Sequence, residues 1–436
     1  MQRTSLKHTK HLVNSHKQQL LVSFLIPLIL MAVYFIYRKM APFGSSSLLT
    51  VDLGQQYVDL FAYFRHTILH DPTAFFYSFS KAIGGDMTGT WAYYLMSPFN
   101  LILLFFPGKT ITTGIFIITI LKYAFAGLTF AILLQRMYPK VSWLVPGLST
   151  AYALMGFSIA NQLNLIWLDA PILLPLIILG IEQIFKTGKI RWFVLWLSLM
   201  LIINYYMAYM ICIFSVLYFA FASAQHYTSF KTTFTDLKRF VGGALLSGGF
   251  ASWILMPTFY ILTQSKVQYT ETSVKFKFEY FPFKMLSKLL PGTFNFEQMP
   301  SGLPNIFVGA FCLIGFALYF TNHNLKLRER ITSEIITLFL LFSLCFQPLD
   351  LFWHAMQFPW WYPYRFSFLV CFWIIFLAAR YLFSKPTFSD RSLIITGLIF
   401  LSGLVYLYLN LSSFKKYVDQ NNFLIGCLFV ALGLLA

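Results

Sequence analysis

The stretch Val51–His66, VDLGQQYVDLFAYFRH, sets two carboxylates, two carboxamides and a histidine among large apolar residues. Such a group can take a proton from a hydroxyl and hold neighbouring hydroxyls in place. On a helix, Asp52, Gln55, Gln56, Asp59, Tyr63 and His66 fall within about 100° of one another. Leu53, Tyr57, Leu60, Phe61, Phe64 and Ile68 take the opposite side. The pattern predicts an amphipathic helix at a membrane interface. Interfacial helices usually turn Lys and Arg toward anionic headgroups, whereas this one turns carboxylates outward, which suits a protein-lined chamber. A solvated surface helix with Asp52 at the favourable end of its dipole accounts for the same spacing.

Further polar clusters follow. Ser80–Asn100 gathers Gly84, Gly85 and Gly89 around Asp86 and then supplies Trp91, Tyr93 and Tyr94. Glycine turns let backbone amides approach an anion, and the aromatics either stack on a sugar or sit in an interfacial belt. The glycines match no phosphate-loop or dinucleotide signature. Asn161, Gln162, Asn164 and Asp169 precede Pro171, where Asp169 either caps a helix or lines a cavity. Asn204–Tyr209 adds an amide and three tyrosines. Gln347–Phe368 carries Trp353, Trp360, Trp361, Tyr362, Tyr364 and Arg365. Arg365 either snorkels to headgroups or offers a fork of donors to a lipid phosphate. Asp350 and His354 lack the spacing of a metal or catalytic set and read as structural.

The elements that carry these residues are membrane spans. Of 436 residues, 58% are hydrophobic and 11% charged, too few charges to solvate a globule of this size. Leu20–Tyr37 is an uncharged 18-residue run. It is long enough to cross roughly 30 Å of hydrocarbon and reads as a retained signal anchor. Comparable runs predict spans at 20–37, 113–135, 142–160, 170–185, 192–204, 207–224, 240–262, 304–320, 331–346, 366–383, 392–410 and 423–436. The expectation is an all-α integral membrane protein, a polytopic bundle of about 11–13 transmembrane helices, with the amphipathic helix in its first long loop. Continuous apolar blocks exclude a β-barrel. Phe99–Phe106 is too short to span and reads as re-entrant or interfacial.

The net charge of +17 does not indicate nucleic acid. With the basic segment 1–19 inside, the short inner segments hold 18 Lys and Arg and the short outer ones hold 3. That bias is topological and fixes orientation. Two long outer loops, about 38–112 and 263–303, stand apart from it. The five cysteines, Cys212, Cys312, Cys345, Cys371 and Cys427, all lie in apolar runs and read as buried small side chains. Glu182 and Glu334, near inner helix ends, are expected to meet cations. The chain stops within a hydrophobic run, so a longer protein is expected.

An inward N-terminus followed by a long outer loop that opens on an aspartate resembles the GT-C glycosyltransferases. More specifically, VDLGQQYVDLF, GGDMTGTWAYYLMSPFNLILLFFP, NLIWLDAPILLPLIILG, NYYMAYM and YPYRFSF resemble the bacterial YfhO-type membrane protein family, in order, from Val51 to Phe368. The resemblance implies a multi-pass enzyme of the bacterial cell membrane whose active site faces the exterior. Its donor would be an undecaprenyl-phosphate-linked sugar. Its acceptor would be an anionic envelope polymer such as lipoteichoic acid. Asp52 is then the expected general base, and Arg365 the phosphate ligand with Lys81 in reserve. Gln55, Gln56, Asp59, Trp91, Tyr93, Tyr94 and Asp169 become expected substrate contacts. Asp86 would position sugar hydroxyls or share a divalent cation with Asp52; no other cofactor is called for. Lys266, Lys275, Lys277, Lys284 and Lys288 would either face the acceptor or form a solvated loop. A good leaving group and a single displacement predict inversion. The alternative is a transporter or flippase for a polyprenyl-linked sugar or other envelope lipid. Against it, Lys122 is the clear intramembrane ionisable residue, and the polar groups gather at one face rather than the midplane.

Overall fold

The computed structural model describes residues 2–139, 142–264, 273–384 and 390–435. It is helical almost throughout. In chain order the helices are α1 (Gln2–Tyr37), α2 (Val58–His70), α3 (Thr88–Thr90), α4 (Ile111–Met137), α5 (Leu144–Ala153), α6 (Gly156–Ala160), α7 (Asp169–Thr187) and α8 (Arg191–Ile203). They continue with α9 (Tyr205–His226), α10 (Phe230–Thr263), α11 (Ala310–Tyr319), α12 (Leu327–Ser343), α13 (Gln347–Trp353), α14 (Ser367–Phe383), α15 (Asp390–Leu409) and α16 (Gln420–Leu435). Tyr77–Ser78 and Gly85–Asp86 form a small antiparallel hairpin.

Among the described residues, six helices are long and apolar enough to cross a membrane: Ser15–Tyr37, Gly108–Met137, Leu165–Thr187, Tyr205–His226, Phe230–Thr263 and Arg391–Leu409. Five shorter apolar helices lie at 144–160, 191–203, 310–319, 367–383 and 420–435. The run expected at 331–346 is α12, which begins four residues earlier and carries Arg328, Glu329, Arg330 and Glu334. Pro98–Phe105 is a 3-10 helix of eight residues, too short to span.

The chain divides into two compact units. The first comprises 1–153, 161–215 and 228–271. Its core forms where α4 packs on α1, α5 and α7. At Gly127 of α4 a Cβ would stand 2.4 Å from the Ser23 carbonyl of α1, so only glycine permits this approach. Tyr152 of α5 stacks on Phe130 at 4.5 Å and donates to the Pro171 carbonyl of α7. Gly188, at φ +70°, ends α7 in the left-handed conformation and starts the turn into α8. Glu182, on the last turns of α7, is buried and meets Lys186 at 3.5 Å, whereas Glu334 is exposed.

The second unit comprises 154–160, 216–227 and 272–436. α14 is apolar around its whole circumference, and every residue from Ser367 to Ala379 is buried, as expected of a central helix. Trp373 donates to Thr337 of α12, and Arg380 clasps Glu329 through two nitrogens at 2.9 and 3.2 Å. Two expected spans are interrupted. The 142–160 run breaks at Leu154 and Met155, and only residues 310–319 of the 304–320 run are α-helical. The irregular 302–309 backbone finds other partners: Phe307 O accepts the Gly156 amide at 2.7 Å, and Asn305 O accepts the Cys371 thiol. Irregular apolar backbone persists where neighbouring protein satisfies it.

Candidate functional site

In the first unit the Val51–His66 stretch is helical but begins irregularly. Val51 sits at φ +48°, a left-handed conformation that a β-branched residue adopts only under strain. Asp52 follows, then a π-helical turn, Leu53–Tyr57, and then α2. Leu53, Tyr57, Phe61, Phe64 and Thr67 form the buried stripe. Gln55, Gln56, Asp59 and His66 are exposed, and Asp52 and Tyr63 are half-buried. The Asp52 carboxylate makes no capping hydrogen bond to the turn it heads. Ile68, predicted on the apolar side, is 44% exposed in the last turn of α2.

A second π-turn, Trp91–Leu95, carries the predicted aromatics. Trp91 is buried against Phe64 at 5.5 Å and Phe75 at 4.7 Å. Tyr94 packs on Tyr57 at 5.7 Å, which ties the two π-turns together. Tyr93 meets Tyr94, Tyr205 and Tyr206 at 4.7, 6.0 and 6.0 Å, so two of the three tyrosines of Asn204–Tyr209 join the same cluster. Single π-turns are rare and recur at functional sites because the widened turn re-aims side chains.

Beneath the turns lies a buried polar frame. The Lys122 ammonium on α4 meets Asp169 at 2.7 Å and the Leu165 carbonyl at 2.8 Å, and Ser97 donates to the other Asp169 oxygen at 3.1 Å. Asp169 therefore heads α7 without capping it; its carboxylate is committed to an ion pair that is 2% exposed. The pair holds the 161–168 loop, from which Asn164 accepts the Tyr57 hydroxyl at 2.9 Å and Trp167 donates to Tyr93 at 3.3 Å. Asn204, also buried, donates to the Tyr93 carbonyl at 3.0 Å and the Ile166 carbonyl at 3.3 Å. Each π-turn is thus fixed by a buried asparagine. Spacing alone does not reveal that role, because the partners are 107 and 111 residues away.

Asp86 is occupied locally. It closes the small hairpin, is exposed, and accepts the Thr88 amide at 2.8 Å at the start of α3. Lys81 folds over to the Asp86 carbonyl at 2.6 Å. Among the described residues no group of three or more His, Cys, Asp or Glu side chains is placed to hold a metal ion.

Of the remaining predicted residues, those described belong to the second unit. Arg365 lies two residues before α14, and its guanidinium donates to the Tyr362 and Trp361 carbonyls at 3.3 and 2.9 Å. The arginine therefore closes its own turn, in which Tyr362 and Tyr364 take φ of +54° and +56°. Trp360 is 83% exposed, whereas Trp353 is buried in a stack on Phe366. Lys275 and Lys277 are exposed and Lys284 half-buried; Lys266 lies outside the described residues. Lys288 departs from the expected acceptor-facing set. It is 1% exposed, its ammonium donates to the Thr293 carbonyl at 2.6 Å and Gln298 at 2.7 Å, and burial pushes it down to about 7. Asp350 and His354 are buried beside this turn, and Glu279, which the pattern did not single out, receives the Tyr364 hydroxyl at 2.6 Å.

These features define a polytopic helical membrane protein with a paired π-turn site of carboxylate, amide and tyrosine side chains, framed by a buried ion pair. The chain belongs to the family described as bacterial membrane protein YfhO, whose family model matches residues 23–436. No curated protein and no solved structure matches it.

Proposed function

We propose that this protein is an extracytoplasmic glycosyltransferase that moves a sugar from undecaprenyl phosphate to an anionic envelope polymer, lipoteichoic acid foremost, with inversion. The observation that carries the reading is Asp52: a half-buried carboxylate, free of capping duty, at the head of a π-turn in the loop that follows the first apolar helix. Asp52 accepts the proton of the acceptor hydroxyl as that oxygen attacks the anomeric carbon. The carbon–oxygen bond to phosphate breaks, and undecaprenyl phosphate leaves with the electron pair. Gln55, Gln56 and Asp59 bind sugar hydroxyls beside the base, and Tyr93 and Tyr94 supply a stacking surface. Asp169 supports the site from below, and Asp86 shapes the adjoining turn.

The test is Asp52→Asn in cells, reading sugar on purified lipoteichoic acid. Normal protein level with decoration lost supports the assignment; wild-type decoration overturns it. The buried Lys122–Asp169 pair is the feature a flippase would use. On that reading Asp52→Asn leaves decoration intact, and deletion of the protein accumulates the lipid-linked sugar on the inner leaflet.

A further inference from the structure

The last turns of α2 carry a pair of side chains that the transferase reading does not use. The stretch Arg65–Asp71, RHTILHD, spaces two histidines four residues apart. Residues at that spacing stand one turn apart on the same side of a helix, with Cβ atoms about 5–6 Å apart. His66 and His70 do meet: their rings lie 5.5 Å centre to centre and are tilted by 41°. Both side chains are exposed and continue the polar stripe that runs through Asp59 and Tyr63.

The opposite side of the helix fixes this turn. Phe64 and Thr67 are buried, and Phe64 packs on Trp91 at 5.5 Å. The Tyr63 hydroxyl donates to the Ala74 carbonyl, which holds the turn after α2 back against the helix. His70 is the last residue of α2, where the carbonyl end of the dipole favours a cation. Asp71 comes next; its carboxylate accepts the Thr73 hydroxyl and attracts positive charge at His66. Arg65, the neighbouring cation, is engaged by the Leu104 carbonyl at 3.3 Å.

We propose that His66 and His70 chelate one divalent transition-metal ion at the end of α2. Imidazole suits Zn²⁺, Cu²⁺ and Ni²⁺, and histidines at i and i+4 on one side of a helix are a spacing that holds zinc. Rings 5.5 Å apart can each turn one nitrogen to a shared point roughly 2.0–2.1 Å away. Among the described residues no third His, Cys, Asp or Glu side chain completes a set, so water fills the remaining positions. The ion staples the last turn of α2 and keeps open positions toward solvent. Mg²⁺ and Ca²⁺ prefer oxygen ligands and do not compete for the pair. This site does not depend on sugar transfer, and its test does not involve it.

Calorimetric titration of the full chain in nanodiscs with Zn²⁺, without a histidine tag, tests the chelate. The background chain carries His8→Asn, His11→Asn and His16→Asn, so that the basic N-terminal segment supplies no imidazole. It is expected to bind one ion. His66→Asn or His70→Asn alone weakens that binding about 10²-fold, and combining them adds little, because losing either arm loses the chelate. Ile68→His with His70→Asn keeps two histidines but sets them at i and i+2, where side chains do not face each other, so binding stays weak. Ile68 is 44% exposed, so this exchange leaves the core intact. Electron paramagnetic resonance with Cu²⁺ gives a second measurement: two imidazole nitrogens on the ion in the background chain, and one or none in each variant. Affinity unchanged by either single substitution, binding by the respaced variant as tight as by the background chain, or a Cu²⁺ spectrum of the background chain with fewer than two imidazole nitrogens overturns the proposal.

Discussion

Lys122→Met removes the ammonium that holds the frame beneath the two π-turns. The substitution preserves bulk but deletes a 2.7 Å contact to Asp169 and a 2.8 Å bond to the Leu165 carbonyl. Asp169 is then left buried with only Ser97, at 3.1 Å, donating to it. Stranding one partner of a buried pair costs about 3–5 kcal/mol. The expected loss is therefore about 3–5 kcal/mol, which denaturant unfolding in detergent measures. Lys122→Met with Asp169→Leu removes both charges and recovers most of the loss, since replacing the whole pair by apolar groups is far milder than halving it. A single variant within about 1 kcal/mol of wild type, or a double variant no better than the single, refutes the reasoning.

Tyr57→Phe removes the buried donor to Asn164, so the expected loss is about 1 kcal/mol of stability, together with reduced transfer activity in the decoration assay. Because burial lowers Lys288 from 10.5 to about 7, the unfolded chain binds more protons than the folded one between those values, and stability rises with pH across that window. Lys288→Met flattens the rise in a series of unfolding curves; an unchanged slope contradicts the burial argument. Arg365→Ala removes the donors to the Tyr362 and Trp361 carbonyls, so a loss of about 1 kcal/mol of stability is expected, and an unchanged unfolding curve contradicts the turn-closing role.

Continuous apolar runs made the helices legible, from Leu20–Tyr37 to α16, because hydrocarbon length and backbone hydrogen bonding leave few alternatives. The runs expected at 192–204 and 207–224 are α8 and α9, which meet at Asn204. Hydrophobicity could not reveal the break after Ala153 or the irregular 302–309 segment, because a run that is apolar in either conformation has no period to read. The buried stripe of α2 follows from helical spacing, but that same assumption of 100° per residue conceals a π-turn. Lys122 and Asp169 were each visible as charges in apolar surroundings. Their pairing was not, since 47 residues separate them. Glu279 was hidden by a Lys–Phe alternation that resembles an ordinary basic loop.

The most direct measurement is single-turnover transfer by the purified full chain in nanodiscs, comparing the wild type with Asp52→Asn on an undecaprenyl-phosphate sugar and a glycerol-phosphate polymer. A carboxylate that takes the hydroxyl proton contributes about 10²–10⁴-fold. The expected result is a fall of that size in the chemical step with donor affinity nearly unchanged. Wild-type turnover by Asp52→Asn contradicts the account.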